Sequence, residues 1–211
     1  MGFIIAVDGP AASGKGTVAS ALARHYGFPY LDTGLLYRAV GVASARTSDV
    51  LAHAPKIAAG LDPADLEDPA LRTRQAGELA SQVAAIPEVR LALLNFQRSF
   101  AADPRGAVLD GRDIGTFIAP QAEAKLFVTA RREVRADRRF KQLVAQGEAV
   151  THEHVLADIL VRDQRDSSRA AAPLLQADDA ALLDTSEMTI EQAFREALRL
   201  VELARSSSKG R

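Results

Sequence analysis

The chain has 211 residues, 47% hydrophobic and 25% charged, with 26 basic side chains against 27 acidic ones for a net charge of -1. At roughly 150 residues per domain this is one domain, long enough to bury a core without a disulfide or metal staple, and its composition excludes a disordered chain. The charge balance gives no global attraction to a nucleic-acid polymer or an anionic membrane, and the absence of cysteine excludes disulfides, zinc–thiolate sites and a cysteine nucleophile. No apolar run approaches the ~18 residues of a membrane span and no secretory signal pattern opens the chain, so the reading is a soluble, cytoplasmic, single-domain protein.

The short apolar run at residues 3–7, stopped by Asp8-Gly9-Pro10, reads as a strand buried on both faces. Helical spacing follows over residues 15–26, with Val18, Leu22 and Tyr26 on one stripe and Gly27 as the stop. Residues 28–31 read as a second strand and 33–45 as a helix. Pro55, Pro63 and Pro69, mixed with Asp49, Asp62, Asp65, Glu67 and Asp68, mark residues 49–70 as short helices and loops without strands. Residues 71–100 read as mostly helical, broken near Pro87. Strands follow at 107–109 and 125–128, then two helices at 131–146 and 152–166 joined around Gly147. Leu182-Leu183 is the last strand, 189–204 the last helix, and the polar residues 206–211 are expected to fray. Strands alternating with helices imply an α/β fold, a parallel sheet covered on both faces, with ligands at the carboxyl ends of the strands. Asp8, Asp32, Asp110 and Asp184 all fall at those ends and are expected to line one site.

The segment Gly9-Pro10-Ala11-Ala12-Ser13-Gly14-Lys15-Gly16-Thr17 leaves the first strand and opens the first helix. Glycines let several backbone N–H groups point at one phosphate, the helix N-terminus adds to them, and Lys15 reaches the outer phosphates of a nucleoside triphosphate. The usual P-loop has Ser or Thr directly after the lysine to meet Mg²⁺. Here that position is Gly16 and the hydroxyl comes at Thr17, a form that resembles the nucleoside monophosphate kinases. The metal is then expected to be held by phosphates, water and Thr17, with no direct carboxylate ligand. Asp32 and Asp110 are the candidates for holding its water, although either is also placed to cap a turn or helix.

A GTPase switch would need Asn-Lys-x-Asp, and the only asparagine, Asn95, precedes Phe96. The chain instead gathers arginines suited to a second anion, at Arg38, at Arg112 within Asp110-Gly111-Arg112-Asp113, and at Arg162, Arg165 and Arg169. A monophosphate acceptor meeting a triphosphate head-on needs several guanidinium groups to offset the repulsion. Any one of these arginines alone would suit a surface salt bridge. The four histidines form no metal set, His152 and His154 being two residues apart.

The combination of GPAASGKGT, LDTGLLYRAV, SQVAAIPEVR, LDGRDIGT and RDQRDSSRAAAPL, running over nearly the whole chain, resembles the bacterial cytidylate kinases. The resemblance implies a P-loop kinase core with a five-stranded parallel sheet, a short helical lid at about residues 131–169, and an acceptor-side helical segment at about 49–90, reduced because residues 49–70 are too short to build the small sheet many members insert. It implies ATP with Mg²⁺ as donor and CMP or dCMP as acceptor; the chain is expected to act as a monomer without nucleic-acid or membrane partners. Carried over by position, Thr33 stands in the CMP site where the family usually has Ser or Thr, Arg38 and Arg112 hold the CMP phosphate, Ser81, Arg90 and Asp113 read cytosine, and Arg162, Asp166 and Arg169 contact the ribose and phosphates, with Lys15, Arg38, Arg112, Arg162 and Arg169 catalytic. Asp113 suits base reading because a carboxylate accepts from the exocyclic N4 amino group of cytosine, where uracil presents an oxygen. Among the lid arginines, Arg131, Arg135, Arg138 and Arg139 share one helical side, some to close on ATP phosphates and some to form a solvated basic face. The alternatives are another small-acceptor kinase, of adenylate or shikimate type, and a nucleotide-binding module without turnover.

Overall fold

The computed structural model describes residues 2–208. Five strands, β1 (Ile4–Asp8), β2 (Tyr30–Asp32), β3 (Ala107–Gly111), β4 (Ala124–Thr129) and β5 (Ala181–Asp184), form one sheet in the order β2-β3-β1-β4-β5. Every pairing is parallel. β1 and β3 are buried at every position, which is why their sequences run apolar without alternation.

Successive β1 side chains enter opposite cores. Ile4 and Ala6 join Leu36, Val40 and Leu93, under the helices α2 (Thr33–Ser44), α3 (Val50–Ala59), α4 (Arg74–Val83) and α5 (Pro87–Ala101). Ile5 and Val7 join Val18, Leu22 and Ala197, under α1 (Lys15–Tyr26) and α8 (Ile190–Ser208). A third, small cluster, Ala136, Leu143, Val155 and Ile159, holds α6 (Arg132–Ala145) to α7 (His152–Ser168) beside the P-loop residue Ala12. No helix among the described residues is long and apolar enough to cross a membrane.

Local signals set the boundaries. Gly27 ends α1 in the left-handed conformation at φ 69°, and Pro87 is the first residue of α5, so the break near it is a helix start. Residues 49–70 hold α3 and two short 3₁₀ turns, Pro63–Glu67 and Pro69–Arg72, each begun by a capping aspartate and a proline. Two expectations are corrected. The second strand starts at Tyr30, because Phe28 packs beneath the turn at Gly106 while only the Pro29 carbonyl joins the ladder, accepting from Val108 N–H at 2.9 Å. The last helix runs on to Ser208, since the Ser206 and Ser207 hydroxyls bond the carbonyls of Glu202 and Leu203 at 2.8 and 3.0 Å. Residues 209–211 of the expected frayed tail lie outside the described residues.

α2 and α4 approach so closely that a Cβ on Gly41 would lie 2.8 Å from Leu79 Cβ. This contact brings α4, with Gly77 and Ser81, over the strand ends.

Candidate active site

The P-loop turns at Gly14 (φ 88°), and even Ala12 sits in the left-handed region at φ 58°. α1 begins at Lys15 with no side-chain cap and no acidic residue in its first turn. Its leading amides and dipole therefore face the loop unopposed, the arrangement that binds phosphate. Lys15 Nζ lies 3.5 Å from Asp110 Oδ2 at the end of β3. Burial pushes Asp110 up to about 6, the nearby Asp32 adding and Lys15 opposing. Burial, followed by the Arg112 charge, lowers Lys15. Tyr30 Oη donates to Asp110 Oδ1 at 2.8 Å.

A Cβ on Gly16 would sit 3.5 Å from Asp110 Oδ2, so this position faces the carboxylate. Thr17 instead lines a cleft of about 490 Å³ with Arg138, Thr185 and Met188. Asp32 bonds the Gly34 N–H at 2.9 Å and so caps α2. Thr33 Oγ1 donates to the Asp110 carbonyl at 2.8 Å, tying the start of α2 to β3.

Around Gly77 three guanidinium groups converge. A Cβ there would lie 3.6 Å from Arg162 Nη1, 3.7 Å from Arg38 Nη2 and 3.8 Å from Arg139 Nη2. Arg38 is fixed by donating to the Leu71 carbonyl at 2.7 Å. Burial and then the Arg112 charge pull Arg162 down to about 9; burial is also the first cause lowering Arg38 and Arg139. Guanidinium groups pressed together out of water in this way are relieved by an anion. Arg112 donates to Asp166 at 2.8 Å; burial opposes its charge, but Asp166 together with Asp110 and Asp32 raises it on balance. The charges acting on Lys15 include Arg112 and Arg162, so the P-loop lysine and this cluster share one electrostatic field.

Beside the cluster, Asp113 is buried and takes bonds from Arg90 Nη2 and, at 3.2 Å, Arg169 Nη2. Arg90 lies 5.8 Å from the ring centres of both Tyr37 and Phe117. Ser81 Oγ, Arg90 Nε and Arg90 Nη1 are buried without a hydrogen-bond partner in the protein. Such atoms are costly unless a ligand engages them.

The structure therefore brings together Lys15, Asp32, Asp110, Arg38, Arg112, Arg162 and Asp166 on one side and Ser81, Arg90, Asp113 and Arg169 next to them. It separates Asp184, expected in the same site: Asp184 is exposed at the sheet edge and bonds the Ser186 N–H and hydroxyl. Asp8 bonds the amides of Ile114 and Gly115, and burial pushes it up to about 7. The lid arginines also divide. Arg135 is a buried strut, donating to Asp163 at 2.9 and 2.5 Å and to the Ala11 carbonyl at 3.2 Å. Arg131 pairs with Glu187 at the surface. Arg138 bonds the Thr185 hydroxyl and carbonyl at 2.9 and 2.7 Å, beside the P-loop. Reading the sequence missed Gly77, Tyr30 and Thr185. Only Gly77 carries a signal, a costly glycine inside a helix among Ala76, Ala80 and Ser81.

A parallel sheet with a phosphate loop on its central strand, and half-buried arginines gathered beside it, defines a P-loop kinase with an anionic acceptor. Among solved structures, the chain resembles an uncharacterized protein from Eubacterium ventriosum (TM-score 0.58, 15% identity, 95% of this chain and 98% of that one). It also resembles a gluconokinase from Sinorhizobium meliloti (TM-score 0.51, 18% identity, 99% and 97%); both likenesses speak to the fold alone. The cytidylate kinase family model matches residues 5–203. A cytidylate kinase of Caulobacter sp. (strain K31) is 63% identical over 98% of this chain and 97% of its own length, and one of Xanthobacter autotrophicus is 60% identical over 97% and 99%. The chain belongs to the cytidylate kinase family.

Proposed function

We propose a division of labour for the reaction that this membership carries, ATP-dependent phosphoryl transfer to CMP or dCMP, which gives ADP and CDP or dCDP. The observation that bears most on it is the convergence of Arg38, Arg139 and Arg162 beside Lys15. The loop of residues 9–17 wraps the donor phosphates and Lys15 reaches the outer ones. Arg38, Arg112 and Arg162 hold the acceptor phosphate and offset the charge of the transferred group. Catalysis is then positioning and neutralisation, with little covalent work by the protein. The acceptor phosphate is already ionised, so no general base is assigned.

Ser81, Arg90 and Asp113 read cytosine, and their unpartnered buried atoms support the role. Although Arg90 and Arg169 bond Asp113, a carboxylate has about four lone-pair sites and retains room for the N4 amino group. Asp166 and Arg169 face the ribose. The Asp110 carboxylate beside Gly16, and that of Asp32 near Asp110, are the hard oxygen donors that suit water on Mg²⁺. A Mg²⁺ ion held there through water would supply charge neutralisation to the transferring phosphates. The Thr17 hydroxyl belongs to the donor-side cleft, where the adenosine end of ATP lies against Arg138. We take a cytoplasmic monomer as the acting unit, with α6 and α7 as its lid.

The test is ADP release in a coupled assay with a panel of nucleoside monophosphates. CMP or dCMP is expected to lead AMP and UMP; a lead for AMP, or no turnover with any of them, overturns the reading.

A further inference from the structure

Four aspartates begin helical segments and bond their own first amides. Asp32 takes the Gly34 N–H at 2.9 Å, Asp49 those of Leu51 and Ala52 at 3.0 Å, Asp62 that of Ala64 at 2.8 Å and Asp68 that of Ala70 at 2.8 Å. Asp113 holds the same position before the π-helical turn Ile114–Ile118, yet its side chain caps nothing. The first two amides of that turn donate elsewhere, Ile114 N–H to Asp8 Oδ1 and Gly115 N–H to Asp8 Oδ2, both at 2.8 Å. Asp8 is the last residue of β1, 106 positions from Ile114 and only 5% exposed. Its backbone is held by the β1–β3 ladder, where it faces Gly111.

An aspartate at the start of a helix ordinarily turns back to accept from its second or third amide. At Asp113 the second amide, the Gly115 N–H, is already taken by Asp8 along with the first, that of Ile114, and the two Asp113 oxygens go to Arg90 and Arg169 instead. We propose that Asp8 is a positioning residue for acceptor recognition, capping the Ile114–Ile118 turn in place of Asp113 and thereby holding the Asp113 carboxylate out among the acceptor-side arginines. Its functional consequence rests on reading Asp113 as the group that recognises cytosine. Asp8 also immediately precedes the P-loop, so one residue sets the donor loop against the acceptor loop.

The near-isosteric Asp8→Asn variant tests this. Its amide has one oxygen to accept with, and its NH₂ group confronts the second backbone N–H. Asp113 is then the nearest acceptor. A crystal structure of Asp8→Asn is expected to show Asp113 bonded to the Ile114 or Gly115 amide and withdrawn from Arg90. The preference for CMP over UMP in kcat/KM is expected to shrink about tenfold, while KM for ATP moves less than about threefold. Asp113 still seated between Arg90 and Arg169 in that structure overturns the proposal. So does a preference that Asp113→Asn narrows and Asp8→Asn leaves intact. If Asp113 turns back and neither variant alters the preference, the capping role stands and the base-reading role of Asp113 fails. Should Asp8→Asn not fold, amide exchange of the wild-type protein decides: Ile114 and Gly115 are expected among the slow amides without nucleotide, and fast exchange at both overturns the cap.

Discussion

Lys15 Nζ stands 3.5 Å from Asp110 Oδ2, where the loop after β1 meets the end of β3. Burial drives the two toward neutrality, lowering the ammonium and lifting the carboxylate to about 6. A buried pair of this kind contributes little net stability, because desolvation cancels much of the attraction. It is better suited to giving each partner up, the lysine to a phosphate and the carboxylate to a metal-bound water.

Replacing Lys15 with alanine is expected to abolish turnover and leave the fold intact. Loss of a cation at converging phosphates removes on the order of several kcal/mol of transition-state stabilisation. Steady-state kinetics with circular dichroism checks it, and near-normal turnover would discard the P-loop role.

Asp110 makes the free protein's stability depend on pH in a defined direction. Its folded pKa, about 6, lies above the ordinary 3.8, so the folded state binds the proton more tightly. The associated stability is present below about pH 4 and is lost as pH rises through about 6, at most about 3 kcal/mol. Asp8, raised to about 7, acts in the same direction. Asp110→Asn keeps an acceptor for Tyr30 but no longer titrates. Its melting temperature is expected to fall less than that of the wild type between pH 5 and pH 8, and equal falls would remove the assignment.

Gly77 separates stability from activity. An alanine Cβ would make ordinary contacts, 3.6 Å or more from the guanidinium groups, and alanine in a helix interior gains about 0.5–1 kcal/mol over glycine. Gly77→Ala should therefore melt higher. Gly77→Leu fills the space between Arg38, Arg139 and Arg162, and KM for CMP is expected to rise about 10- to 100-fold through lost arginine–phosphate bonds. An unchanged KM in the leucine variant places the acceptor phosphate elsewhere.

Asp113→Asn tests base reading directly. A buried carboxylate facing the uracil oxygen loses a hydrogen bond and gains repulsion, roughly 2–4 kcal/mol or about 30- to 1000-fold against UMP. The asparagine can donate as well as accept, so the gap should narrow, mainly through weaker use of CMP. If kcat/KM falls equally for both nucleotides, Asp113 is a structural partner of Arg90 and Arg169 only.

The lid prediction follows from how α7 is fastened. Arg74 bonds Asp158 at 2.6 and 2.9 Å, and Arg165 pairs with Glu78 at 3.0 Å, joining α4 to α7. Such partly exposed pairs are worth about 0–1 kcal/mol each, which permits opening. Hydrogen exchange over residues 131–169 is expected to slow only when donor and acceptor analogues are both present. Equal protection with and without them removes the lid.

By itself the sequence determined the elements and the donor loop. The helix at Lys15–Tyr26 and the α2 start at Thr33 are read correctly because caps, glycine stops and periodicity act over a few residues. Likewise the P-loop is a contiguous motif, and the residues proposed to hold the acceptor come from resemblance to a family. Tertiary structure alone decided which charges meet. It set Asp184 apart at the sheet edge, buried Arg135 as a strut on Asp163, gathered Arg38, Arg139 and Arg162 over Gly77, and gave Asp113's capping duty to Asp8. Each of these relationships joins residues from different elements, brought together by the strand order β2-β3-β1-β4-β5 and by the close approach of α2 and α4. Local periodicity records which face of an element is buried, and it carries no information about which distant side chain will lie across from it.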